Sequence, residues 1–366
     1  MGKLRLANIM TLDFWQDNLE LQVQLEKVEE IIFDHVKSRE NTLTQAGIQL
    51  ASAGGKRLRP ALVLLASTFG PKSSGNIRNI AAAVEILHMA TLIHDDIIDE
   101  SRYRRGQPAV HERFGKDVAV YTGDYLFTRS ILLLADCKSV DHLAKLARAL
   151  KIVCESEVCQ HSERYNVDLS IRQYLRKIKG KTAALFAISA SLGAVESGAG
   201  QSVVARLRRF GSYLGMAFQI RDDILDFTGQ ESELGKPTSS DMRKGNFTLP
   251  VIYALQSAAH TGLRSILKKP YISPEDWDAA YELVKTSNGI EKSQIVFNKY
   301  CQKARRELDL LPHSLAVDTL GNVLSKLQLN PFDKCSTKPA SDPLFPGPSD
   351  FRHCRQQKCR RVPGIH

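Results

Sequence analysis

Residues 81–93, AAAVEILHMATLI, are almost wholly apolar and run directly into HDDIIDESRYRR at 94–105. Asp95, Asp96, Asp99 and Glu100 crowd the end of a segment that reads as buried, and Arg102, Arg104 and Arg105 follow at once. A second copy occurs in QIRDDILD at 219–226, with Asp222, Asp223 and Asp226. In each copy the first and last Asp are four residues apart, so on a helix they share a face about one turn apart. Like charges at that spacing repel. A fold that carries both copies must therefore supply counter-charge, from bases, from cations or from both.

The rest of the chain reads as helix. LELQVQLEKVEEIIFDHVK, IRNIAAAVEILHMATLIHDD and VDHLAKLARALKIVCESEVCQ repeat apolar residues at three- and four-residue steps. Strand-like alternation is scarce, and no Asn-Gly or Asp-Gly hairpin signal appears. Breaks fall at ASAGGKRLRP, GPKSSGN, ESGAG, GQESELGKPTSSD, KKPYISP and TSNG. The expected fold class is all-α, with residues 1–332 forming one helical domain. Residues 333–366 hold prolines and bases without apolar periodicity and are expected to be disordered, as a read-through or artificial extension would be.

Charge and cysteine usage exclude several function classes. The net charge is +10, of which the last 34 residues carry +4 (seven Lys/Arg against three Asp). The remainder is spread over a large body, which does not indicate nucleic-acid binding. A basic surface is still compatible with phosphorylated substrates and with, at most, peripheral membrane contact. No apolar run is read as approaching the roughly 20 residues of a membrane span. MGKLRLANIM lacks a signal-peptide core, and Leu6 breaks the myristoylation pattern. The seven cysteines show no zinc spacing, as expected of reduced thiols in a cytoplasmic protein.

Paired carboxylates of this kind suit a hard cation. Mg²⁺ prefers oxygen ligands and usually combines one or two carboxylates with waters and substrate phosphates. One Asp-Asp-x-x-Asp copy would carry little weight, because acidic pairs decorate many solvated helix faces. Two copies on apolar helices carry much more. The bases complete the pattern: Lys56, Arg57 and Arg59 follow a Gly-Gly turn, Arg104 and Arg105 follow the first acids, and Lys181 and Lys236 lie in GKTAALF and LGKP. Guanidinium forks and ammonium groups match phosphate oxygens. The set fits two diphosphate groups, one bound through cations and one directly by Arg and Lys.

GGKRLRP, LIHDDIIDESRYRRG, GKTAALF, GMAFQIRDDILDFTG and LGKP…D…TLPVIYAL occur in that order. With these motifs the chain resembles the trans-isoprenyl diphosphate synthases, the polyprenyl synthetase family, and above all their long-chain bacterial branch, from about residue 20 to about residue 328. The resemblance implies helices around a deep central cavity. It implies a homodimer, or a heterodimer with a small regulatory subunit. Asp95, Asp99, Asp222 and Asp226 are then expected on Mg²⁺, two or three ions per site, with Asp96 and Asp223 among the catalytic acids. Arg104, Lys181, Thr182, Gln219 and Lys236 are expected at the allylic diphosphate and its reacting carbons. Lys56, Arg59, His88 and Arg105 are expected at isopentenyl diphosphate. A lone His on an apolar helix is ordinarily a core residue. His88, however, lies seven residues before Asp95, two turns back on roughly the same face. Two positions depart from the family pattern: Ser239 stands where many relatives have Gly, and Asn246 where short-chain relatives have Lys.

The implied reaction is ionisation of an allylic diphosphate, attack by the isopentenyl double bond and loss of a proton to the departing diphosphate. No Ser, Cys or His nucleophile site, Walker loop or dinucleotide fingerprint competes with it. An inactive regulatory subunit would have lost one aspartate motif. A terpene cyclase would have no use for GGKRLRP or for the paired Arg after the first acids. Chain length is expected to depend on Leu87, Ala90 and Thr91. Ala90 lies five residues before Asp95, roughly 7–8 Å along the helix axis, where short-chain relatives place an aromatic floor. With small residues there, the expected product is long, hexa- to decaprenyl with heptaprenyl foremost, suited to a quinone side chain. A geranylgeranyl- or farnesyl-length product is the alternative.

Overall fold

The computed structural model describes residues 14–71, 75–137, 140–229, 238–257 and 260–328. The first helices are α1 (Leu19–His35), α2 (Asn41–Ser52), α3 (Leu58–Ser67) and α4 (Ile77–Ile98), the last ending on the first acids. A two-stranded antiparallel pair follows, β1 (Tyr103–Arg104) and β2 (Gln107–Pro108). Then come α5 (Val110–Phe114), α6 (Lys116–Asp136), α7 (Val140–Ser162) and α8 (Ile171–Ile178). One π-helical turn, Lys179–Ala183, leads without a break into α9 (Ala184–Glu196). The remainder is α10 (Gln201–Thr228), α11 (Ser240–Arg243), α12 (Leu249–Ala254), α13 (His260–Leu267), α14 (Pro274–Thr286), α15 (Gly289–Asp309) and α16 (Leu315–Gln328). The all-α expectation holds. Lys236 and residues 333–366, with the expected disorder of the latter, lie outside the described residues.

Local chemistry sets the helix ends. Asn18 accepts from Leu21 N at the start of α1. Ser170 with Gln173 and Ser273 with Asp276 form reciprocal capping boxes, which satisfy amides that a helix start would otherwise leave open. Pro250 and Pro274 sit in first turns, where a missing N–H does no harm. The short hairpin was not legible, because its turn is Arg105-Gly106, both with positive φ (52° and 75°). Two-residue hairpin turns need that conformation, and Arg is an unusual residue to adopt it. Its effect is to fold Arg104 and Arg105 back beside the end of α4.

Each long helix buries a face against a neighbour. α4 lies along α6 and also packs on α1 and α3; α9 packs between α3 and α10; α10 lies along α15. The core joins Ile80, Leu87 and Ile93 of α4 with Leu126 of α6, Phe186 of α9 and Phe210 and Ile220 of α10. Ser130 Oγ donates to Ala83 O at 2.7 Å, tying α6 to α4 inside that core. A smaller core under the C-terminal helices gathers Phe227, Met242, Phe247, Val251 and Val284. One sequence expectation is corrected here. The continuous helix Ile171–Glu196 is long and apolar enough to cross a membrane by length and composition, but 67% of its apolar 18-residue window is buried within the protein, where the helix packs on α7 and α10. The π turn joins α8 to α9 within that run.

Candidate active site

The site is built on the C-terminal end of α4, the π turn and the second half of α10. Asp95 is half-buried, and Asp99 caps α4 with its amide donating to Asp95 O at 2.8 Å. Burial pushes the Asp95 carboxyl up to about 7; Glu157 and Asp99 add to this, while Lys181 and Arg104 oppose it. Asp99 is held by Arg164 Nη2 at 2.9 Å. Asp96 turns inward and is gripped by Arg104, whose Nε lies 3.0 Å from both carboxylate oxygens. Lys181 Nζ donates to Glu157 Oε2 at 2.9 Å. Burial disfavours the Lys181 charge, but Asp95 and Glu157 more than restore it, so its pKa lies above the ordinary lysine value.

The second acid motif meets the first through the π turn. Thr182 Oγ1 donates to Gln219 Oε1 at 2.7 Å, and Gln219 Nε2 donates to Asp223 Oδ1 at 2.9 Å. Tyr174 of α8 donates to the other Asp223 oxygen. Asp223 is buried, and burial raises its carboxyl to about 7, with Asp241 adding to the rise and the Tyr174 and Gln219 bonds opposing it. Asp222 is exposed on the same helix.

Asp226, expected on Mg²⁺ with Asp222, lies in a different environment from it. It is 1% exposed, and it accepts from Ser240 Oγ at 3.0 Å and from Asp241 N at 3.2 Å. Four residues after Asp222 it has left the open face, and it anchors the start of α11. Ser239, the departure from the family pattern, is buried there with φ 54° and donates its amide to Asp226 O at 2.7 Å.

The bases form a second compartment. His88, half-buried two turns back along α4, has its pKa pushed well below the ordinary value by loss of solvent and by Arg59, Arg105, Arg104 and Arg57. Arg59 lies 4.5 Å over the Phe186 ring, and its buried Nε has no hydrogen-bond partner among the described residues. Burial, with Arg105 adding and Glu85 and Asp222 opposing, lowers its pKa to about 10. Arg105 lies directly over the backbone of Gly55, where an added Cβ would fall 2.6 Å from the guanidinium. Only glycine leaves that approach open. Lys56 is exposed, 5.4 Å from the Phe14 ring. Arg57, the second base of the same motif, points inward to Glu29 and Glu85.

Glu157, Arg164 and Tyr174 were missed by sequence reasoning. Each lies on α7, its following loop or α8, in segments whose composition is that of ordinary amphipathic helix and turn. The nearest signal was KTAALF, which points to Lys181 but not to its partner. Leu87 and Ala90 are each 2% exposed, within the core, and Thr91 Oγ1 donates to His88 O at 2.8 Å. A separate cleft of about 640 Å³ between the 165–168 loop, Arg243 and residues 267–277 contains none of the motif residues.

No three His, Cys, Asp or Glu side chains converge as a closed cation site among the described residues. The donor set still fits a hard divalent cation. Asp95 is a carboxylate half removed from water among other acids, and a cation that keeps waters and phosphate oxygens needs only one or two such ligands.

An all-α body with paired acids on two helices and an adjoining pocket of bases defines a protein that handles diphosphates. The chain belongs to the polyprenyl synthetase family, whose model matches residues 40–284, and it is a prenyltransferase. Heptaprenyl diphosphate synthase component 2 of Geobacillus stearothermophilus is 42% identical over 292 residues, which is 80% of this chain and 91% of the relative. The crystal structure of heptaprenyl diphosphate synthase from Staphylococcus aureus matches with a TM-score of 0.81 at 33% identity, covering 84% of this chain and 98% of that one. The polyprenyl synthase of Caulobacter crescentus, complexed with calcium and isoprenyl diphosphate, matches with a TM-score of 0.79 at 33% identity, covering 84% and 94%.

Proposed function

We propose that the chain condenses isopentenyl diphosphate onto an allylic diphosphate, repeatedly, to give a long all-trans polyprenyl diphosphate of about heptaprenyl length. The observation that carries this reading is the division of α4 into two charged compartments. Asp95 and Asp99 face Lys181 at its end, and His88 sits among Arg59, Arg104 and Arg105 two turns earlier. One compartment suits a diphosphate bound through cations and the other a diphosphate bound by bases alone.

Asp95, Asp99 and Asp222 would hold the divalent cation, Mg²⁺ by the hardness of their oxygens. When bound, it supplies neutralisation of the leaving diphosphate. Lys181 and Arg104 stabilise the same leaving charge from the protein side. Arg59 Nε, without a hydrogen-bond partner among the described residues, is placed to donate to isopentenyl diphosphate, together with Arg105 and His88. Thr182 and Gln219 are fixed to one another beside the π turn and orient the reacting end. The apolar residues behind Asp95 keep water from the allylic cation. The proton lost after coupling goes to the departing diphosphate.

Ala90 and Thr91 leave the helix behind Asp95 without a ring, which supports a long product. The experiment is to purify the chain alone, supply labelled isopentenyl diphosphate, an allylic primer and Mg²⁺, and size the product. A product of about seven units supports the reading, and one arrested at three or four units overturns the long-chain part. A second reading is favoured by one observation: the Geobacillus relative is named component 2. It is that the chain elongates only with a small partner subunit, in which case the purified chain alone gives no product.

A further inference from the structure

Glu157 belongs to none of the motifs, yet it stands inside the first acid compartment. Its side chain is 19% exposed, and Oε2 accepts from Lys181 Nζ at 2.9 Å. The other oxygen, Oε1, is buried and has no hydrogen-bond partner among the described residues. A buried carboxylate oxygen without a donor is unfavourable, so a purely structural ion pair leaves it unexplained. The geometry is nevertheless built. The backbone of the π turn presses on α7 at Gly180, where an added Cβ would fall 1.8 Å from Ser156 Oγ. That contact sets Lys181 against the residue that follows Ser156.

Asp95, Asp99 and Glu157 thus share the field of one ammonium group. Asp99 has its own base in Arg164. Among the described residues Glu157 has Lys181 alone, so moving Lys181 away breaks a single ion pair. We propose that Glu157 is the resting counter-ion of Lys181, which an incoming diphosphate must displace, and that it thereby sets how readily the site lets a diphosphate go. The inference rests on the diphosphate reading above. Its physical content is a competition: a carboxylate beside Lys181 weakens the hold on any second anion there and takes the lysine back as that anion leaves. In an enzyme that must release pyrophosphate at every elongation step, such a competitor favours turnover over affinity.

The test is a calorimetric titration of the full chain with inorganic pyrophosphate in the presence of Mg²⁺. Glu157→Gln removes the charge while keeping the shape, and it should bind pyrophosphate roughly tenfold tighter, as loss of one nearby like charge requires. Glu157→Asp keeps the charge but withdraws it from Lys181, and its affinity should fall between parent and Gln variant. Glu155→Gln is the control. Glu155 is exposed and paired with Lys151 on the same helix, and its loss should leave affinity at the parent value. A merely structural Glu157 would give the opposite sign, because a misplaced Lys181 binds pyrophosphate less well. Unchanged or weaker binding by Glu157→Gln overturns the proposal. If that variant does not fold, Glu157→Asp decides alone, and affinity no higher than the parent's overturns it. Failure of the parent itself to bind pyrophosphate with Mg²⁺ overturns the diphosphate reading as well.

Discussion

Arg57 Nη1 donates to Glu85 Oε1 at 2.9 Å, and the opposite edge of the same guanidinium clasps Glu29 of α1. Its Nη2 also donates to Ala51 O at 2.9 Å, and its backbone is left-handed, with φ 48°. The middle base of GGKRLRP is therefore a buried tie between α1, α3 and α4. Burial opposes the Arg57 charge, but the two carboxylates together hold its pKa above the ordinary arginine value.

Arg57→Ala should accordingly act on stability. Removing one partner of a buried ion pair costs about 3–5 kcal/mol, and here two carboxylates would be left behind. Urea melts of the ligand-free variant should show a loss of that order. Arg59→Ala should shift the midpoint far less and instead raise KM for isopentenyl diphosphate. Equal midpoints for the two variants would contradict the division of labour.

Asp95→Ala should lower turnover by roughly two to three orders of magnitude while leaving far-UV circular dichroism unchanged. The side chain stands half-buried among like charges, so its removal relieves repulsion in the free protein. A folded variant with near-parental activity would disprove its place on the cation.

His88 carries the pH prediction. Its folded pKa lies well below the ordinary 6.5, through loss of solvent and through Arg59, Arg105, Arg104 and Arg57. The folded state therefore binds fewer protons than the unfolded chain below pH 6.5. Its contribution is fully present above that value and is lost as pH falls below it. The difference in melting temperature between parent and His88→Gln, both ligand-free, should shift against the parent as pH is lowered from 7.5 to 5. A difference independent of pH would show that the histidine is not among those guanidinium groups.

Ala90→Phe should shorten the product sharply while the first condensations continue. Ala90 is 2% exposed, so the ring also overpacks the core, by about 1–3 kcal/mol. Thermal melts must accompany the product sizing. An unchanged product from a folded variant would place the floor elsewhere.

The helical class, the two acid pairs and most of the bases were legible because each depends on local spacing. The ends of α4 and α10 announce themselves as apolar runs that stop at acids. What was hidden depends on distant partners. Arg57 reads like Arg59 until Glu29 and Glu85, each 28 positions away, are brought to it. Asp226 reads like Asp222 until Ser240 folds under it. Glu157 sits in CESEVCQ, where nothing marks it off from Glu155; only the approach of Lys181 does. The Arg105-Gly106 hairpin was hidden because its turn uses a residue that rarely adopts positive φ.

The π turn at Lys179–Ala183 also fixes the relative rotation of the two halves of its helix. A π turn holds one residue more than an α-helical turn, so the run Ile171–Glu196 carries one residue beyond regular α-helical spacing. Each residue advances an α-helix by about 100°. Deleting one residue between 179 and 183 would leave an unbroken rod whose two halves are rotated by that angle relative to the present ones. Tyr174, which now reaches Asp223, and Phe186, which now lies under Arg59, could not both keep their neighbours. Shortening this segment by one codon would thus disturb both the Asp223 contact and the Arg59 contact at once, where a substitution touches one side chain.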